Sequence, residues 1–262
     1  MPDSALFTTE GSGVYRPTEL TRGPWSDDAQ HGGPVAALLA GAVEALEPER
    51  DLQVVRLTYE FLRPIPLAPL RVEATVEGTG RSADRVSAYA REEASGRPVA
   101  VLMGLRIRRK PVGVPAQRRP RQPRGPEGLE AFAGLGGERV SFVTHGMEMR
   151  FARGSLLRPG PAAAWFRLRV PVLPGQTPSP LQRVAAACDS GNGISGLADF
   201  STLLFINPDL NIALHRHPAG EWVCLDATSR YETNGIGGAD AALFDEQGPI
   251  GRSYQTLLLA AR

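Results

Sequence analysis

A chain of 262 residues holds one large domain or two of about 130, and either size can bury a core of its own. Its net charge of +1 supplies no global field to favour nucleic acid or an anionic membrane, and its basic residues are arginine except for Lys110. Cys188 and Cys224 both lie in apolar runs and read as free buried thiols, not as a disulfide or metal ligands, which fits a reducing cytoplasm. Residues 1–13 lack the basic start and apolar core of a signal peptide, and no apolar run approaches the ~18 residues of a membrane span.

From Gly32 the run GGPVAALLAGAVEAL sets Val35, Leu38, Leu39, Ala42 and Leu46 at helical spacing, with Pro34 suited to a first turn. Alanine fills the other faces, so this helix is expected to be buried all round. Strands are predicted over 54–62, 70–76, 85–91 and 99–107, punctuated by Gly78, Gly80 and Ser95-Gly96. Residues 110–128, rich in proline, arginine and glycine, read as a solvated linker. Their basic run Arg118-Arg119-Pro120-Arg121 has no interleaved aromatic residues for base stacking. The second half restarts with strands near 147–151 and 164–170. A helix then begins at Ser179-Pro180 with Leu181, Val184, Ala185 and Cys188 on one face, and strands follow near 211–214, 222–228, 241–245 and 252–260. Each half, 1–110 and 129–262, is thus an α+β unit whose mostly antiparallel sheet wraps one apolar helix.

The halves echo each other. Leu57 to Arg63 reads LTYEFLR before Pro64, and Leu210 to Arg216 reads LNIALHR before Pro218. A glycine follows the arginine 33 residues later in the first copy (Gly96) and 32 later in the second (Gly248). Such duplication implies two similar folds packed as a pseudo-dimer. Seven residues past the glycine the copies carry Met103 and Gln255, which suggests that one copy alone kept a polar site.

Several segments together resemble the two-hotdog acyl-CoA thioesterases of the bacterial thioesterase II type. They are His31-Gly32-Gly33-Pro34, Leu62-Arg63-Pro64, Ala187-Cys188-Asp189-Ser190, Asn207-Pro208-Asp209-Leu210, Leu214-His215-Arg216 and Gly251-Arg252-Ser253-Tyr254-Gln255. The resemblance implies a double hotdog, fatty acid metabolism, and hydrolysis of acyl-CoA, or of an acyl-carrier thioester, without cofactor or metal. A homodimer is likewise expected by resemblance only. In the family an aspartate, a hydroxyl residue and a glutamine activate a water. The aspartate falls on Asp189 and the glutamine on Gln255. The hydroxyl position holds Asn207, so its role passes to the asparagine amide, to nearby Ser201 or Thr202, or is lost.

Thioester hydrolysis needs a base, a positioned water and oxyanion donors, and a thiol of pKa about 8.5 leaves readily. Asp189 at the end of an apolar helix suits a base, because burial and the negative helix end sharpen it, or it simply caps the helix before Gly191. Gln255 is a site residue or an exposed strand position. Gly32 and Gly33 open a buried helix whose first N–H groups lack intrahelical partners, so they supply oxyanion donors or a tight turn. His31 orients substrate, exchanges protons or caps the helix. Trp25, Trp165 and Trp222 line an acyl tunnel or pack the core. Arg56, Arg63, Arg85 and Arg216 are candidates for CoA phosphates or ordinary surface charges. His145, His215 and His217 show no metal-ligand spacing. Two other functions compete: a hotdog enoyl hydratase or dehydratase working through His31, and a non-catalytic acyl-thioester-binding protein.

Overall fold

A computed structural model describes residues 5–47, 50–134 and 139–262. The first half contains a hairpin of β1 (Phe7–Gly11) and β2 (Val14–Pro17), then α1 (Gly32–Glu44), β3 (Leu52–Phe61), β4 (Leu70–Gly78), β5 (Ala83–Glu92) and β6 (Pro98–Arg108). The second half repeats that order. A hairpin of β7 (Met147–Ser155) and β8 (Arg158–Leu168) precedes α2 (Pro180–Cys188), a short α3 (Gly191–Ile194), β9 (Leu203–Ile206), β10 (Asp209–Leu214), β11 (Val223–Tyr231), β12 (Ile236–Asp245) and β13 (Gly248–Ala261).

All the described strands join one antiparallel sheet in the order β1-β2-β4-β5-β6-β3-β10-β13-β12-β11-β8-β7, with β9 paired to β13. The order reads as a mirror about β3–β10, where Leu57 stands opposite Ile212 and Tyr59 opposite Leu210. The duplication seen in the sequence is therefore a fold duplication joined edge to edge, the double hotdog that the resemblance implied.

Helix α1 is buried as its composition requires: Val35, Leu38, Leu39 and Val43 are at most 3% exposed. Each such side chain contributes about 1.5–3 kcal/mol when removed from water. Both helices and both halves of the sheet share one apolar core, in which the buried Tyr59 hydroxyl is satisfied by donating to the Ala36 carbonyl at 3.0 Å. No helix among the described residues is long and apolar enough to cross a membrane.

Two expectations from sequence change. The segment 110–128 is exposed along most of its length, yet its later part is pinned to the second half. Gln122 donates to the Asp245 carbonyl at 2.8 Å, Trp165 Nε1 donates to the Arg124 carbonyl at 2.6 Å, and Pro126 is buried. Second, Met103 is not the counterpart of Gln255. Met103 is 40% exposed on the outer face of β6, whereas Gln255 is 1% exposed on the inner face of β13. Side chains alternate along a strand, so an offset of one residue in aligning the repeats moves a residue to the opposite face. The inward positions of β6 there are Leu102 and Gly104.

Candidate active site

The site is built where the end of α2 meets the start of α1. Helix α2 opens with a capping box: Ser179 Oγ accepts from the Gln182 amide while Gln182 Oε1 accepts from Ser179 N–H. It ends at Cys188, which leaves Asp189 as C-cap, 5% exposed. Asp189 Oδ1 accepts from Asn207 Nδ2 at 2.8 Å, and Oδ2 lies 2.8 Å from His31 Nδ1. Asn207 Nδ2 also donates to the Asp209 carbonyl at 3.2 Å. With two acceptors facing it the amide nitrogen is fixed, and Asn207 Oδ1 is left to accept a further hydrogen.

His31 is the N-cap of α1, and its Nδ1 accepts from the Gly33 N–H at 3.1 Å. One ring nitrogen cannot accept that hydrogen and also donate one to Asp189. Unprotonated, Nδ1 caps the helix; protonated, it donates to the carboxylate and releases the Gly33 N–H.

The two glycines do different work. A Cβ on Gly32 would stand 2.8 Å from Asp189 Oδ2 and 3.0 Å from the Phe61 ring, so only glycine lets the carboxylate approach. The Gly32 N–H, first in α1, has no intrahelical acceptor. A Cβ on Gly33 would stand 2.6 Å from the Ala186 carbonyl, which makes this glycine a contact between helices.

Gln255 departs from its expected place. Its Oε1 accepts from the Asn192 N–H at 2.9 Å and its Nε2 donates to the Asp189 carbonyl at 3.3 Å. It is buried behind the α2–α3 turn, is not among the cavity-lining residues, and bonds to the backbone that carries Asp189. Ser201 and Thr202 donate their hydroxyls to the Asp199 carboxylate and carbonyl and do not line the cavity, whereas Asn207 does.

Asp189, Asn207, His31 and Gly32 open onto one cavity of about 780 Å³. Its wall is largely apolar, with Trp25, Phe61, Ile65, Phe200, Leu204 and Leu258 among its residues. Trp165 and Trp222 lie elsewhere, in a small cluster with Cys224 and Phe244, so of the three tryptophans Trp25 alone lines this cavity. Among the described residues no group of three or more His, Cys, Asp or Glu stands where it could hold a metal ion.

At the opposite ends of the same two helices the construction is closed. Ser179, N-cap of α2, donates to Glu44, the last residue of α1. In place of the glycine pair stand Pro180, which has no N–H, and Leu181.

Residues 21–107 match the model of the acyl-CoA thioesterase N-terminal domain, and residues 116–259 match that of the acyl-CoA thioesterase C-terminal domain. The chain belongs to the acyl-CoA thioesterase family. Solved structures similar to this family member include an acyl-CoA thioesterase II TesB2 from Mycobacterium marinum, 18% identical with TM-score 0.68 over 98% of this chain and 95% of that one. A tesB protein from Mycobacterium avium subs paratuberculosis is 17% identical with TM-score 0.68 over 97% and 96%. A conserved protein of unknown function with a hot dog fold from Alicyclobacillus acidocaldarius is 16% identical with TM-score 0.75 over 98% and 96%. At these identities the likeness is one of fold. No curated protein matches the chain.

Proposed function

We propose that this thioesterase-family chain hydrolyses acyl-CoA, or an acyl-carrier thioester, to free acid and thiol, using a water activated at Asp189. The observation that carries the reading is the convergence of Asp189 and Asn207 from the second half with His31 and Gly32 from the first on one largely apolar cavity. We also propose that the functional units are 1–110 and 129–262, each incomplete without the other. The free buried thiols of Cys188 and Cys224 suit a reducing cytoplasm.

The attacking water donates one hydrogen to Asn207 Oδ1 and gives up the other to Asp189 as its oxygen bonds to the thioester carbon. The carbonyl oxygen, now an anion, accepts from the Gly32 N–H. As the tetrahedral adduct collapses, the C–S bond breaks, the thiolate leaves, and the proton on Asp189 returns to it. Gln255 keeps the Asp189 backbone in place throughout.

Thiol release from a panel of acyl-CoAs tests this. Asp189→Asn should lower turnover about 10³-fold, within the usual range for a lost base. Hydration of an enoyl-CoA without thiol release, or binding without turnover, would overturn it. The 2.8 Å contact between His31 and Asp189 favours a variant in which His31 Nε2 takes the proton while Asp189 orients the ring. In that case His31→Gln loses as much turnover as Asp189→Asn; if Asp189 itself is the base, His31→Gln retains more.

A further inference from the structure

Arg63 and Arg216 occupy the same point of the two repeats, two residues beyond β3 and β10. An acidic residue follows each at the same separation of 29 residues: Glu92 after Arg63, Asp245 after Arg216. In the second half this pair is closed. Arg216 grips the fully buried Asp245 with both terminal nitrogens, one at 2.6 Å, and spends its remaining hydrogens on the Pro249, Gly248 and His217 carbonyls at 3.1, 3.0 and 3.4 Å.

In the first half it is open. Glu92 accepts from Ser95 on the exposed β5–β6 hairpin at 2.5 Å. Arg63 makes no side-chain hydrogen bond or ion pair with any described residue, and its Nε and Nη1 are buried without an acceptor. Arg63 is half-buried: Nε and Nη1 are cut off from water and Nη2 is not. A guanidinium partly removed from water and given no counter-charge is unfavourable, and it persists where a ligand completes it. Arg63 lines the cavity that holds Asp189. On the same wall Gln30 Oε1 is also buried without a donor, and it does not bond to Arg63.

We propose that Arg63 is the anion receptor of the catalytic cavity. Its guanidinium, without the acidic partner that its twin keeps, binds an anionic oxygen group of the substrate. That group is a phosphate of the pantetheine-nucleotide arm or a carboxylate at the far end of the acyl chain; both present the planar or tetrahedral oxygens that a guanidinium recognises. This rests on the reading that the cavity takes acyl thioesters.

The test is titration calorimetry on the full chain with three non-hydrolysable probes. These are CoA itself, an ω-carboxyalkyl pantetheine thioether and an uncharged alkyl pantetheine thioether, the last two without phosphate. Arg63→Gln should weaken one or both anionic probes at least tenfold and leave the uncharged probe unchanged, while Arg63→Lys stays within about threefold of wild type. Loss confined to CoA assigns the phosphate; loss confined to the ω-carboxyalkyl probe assigns the acyl carboxylate. If R63Q melts far below wild type, Arg63→Met, which keeps the apolar stem, replaces it. Equal weakening of all three probes, or none, overturns the inference. If the wild-type chain binds none of the three, the thioester reading falls first and this one with it.

Discussion

The contrast between Gly32 and Gly33 is sharp enough to measure. At Gly32 an added Cβ meets the Asp189 carboxylate at 2.8 Å, a group that can swing away from Asn207 and His31. At Gly33 it meets the Ala186 carbonyl at 2.6 Å, which cannot move without parting the helices. Gly32→Ala should therefore fold and melt close to wild type, since alanine favours a helix, yet lose about 100-fold in turnover from the displaced carboxylate. Gly33→Ala should cost about 1–3 kcal/mol from overpacking. Thermal melts beside thiol-release rates check both; a G32A enzyme of full activity would show that Asp189 is not held where the chemistry needs it. At this scale the sequence carried the order of the site residues and not their facing. Asp189, Asn207 and His31 could be marked by type and position. The inward turn of Gln255 onto backbone depends on strand parity, and the His31–Asp189 contact joins residues far apart in the chain.

Helix α2 shows what an element contributes beyond its own stability. Ser179 caps its own helix and also donates to Glu44 of α1, so one hydroxyl ties the two helices at the closed pseudo-site. Burial pushes the Glu44 carboxyl up, and the bond from Ser179 and the nearby His217 offset that only in part. A carboxyl raised in the fold is tolerated while protonated and penalised once pH exceeds its folded value. Ser179→Ala removes the cap, about 1 kcal/mol, and leaves Glu44 without its donor. The loss of stability should thus be larger at pH 7 than at pH 4, where Glu44 is protonated, with turnover kept. Denaturant melts at the two pH values decide it, and a pH-independent loss would mean that the Glu44 bond contributes nothing. The capping signal Ser179-Pro180 and the period-2 strands were readable because each follows from local sequence. The hairpin of β1 and β2, the four-residue β9 and α3 were not, because short segments such as FTTEG or LLFI carry too few turns of any period to stand out.

On the scale of the whole molecule the halves are two parts of one site. β3 and β10 pair along the seam, with Thr58 opposite Asn211 and Arg56 opposite Ala213, and the apolar helices lie against a shared core. Either half alone would expose an unpaired central strand and an apolar helix face. The cut that tests this lies between Lys110 and Pro111, because the segment beyond it is held by the second half through Gln122 and Arg124. Co-expressed 1–110 and 111–262 should purify as a one-to-one complex that releases thiol within about tenfold of the intact chain, since joining the parts changes effective concentration and not contacts. The second half by itself has an escape: two copies pairing β10 to β10 would mimic the seam. That arrangement would bring Ser179, Pro180 and Leu181 to Asp189, where the intact chain has His31, Gly32 and Gly33. Pro180 has no N–H to offer an oxyanion, so a dimer of 111–262 should fold and remain inactive. Turnover by that dimer would locate the oxyanion donors outside α1.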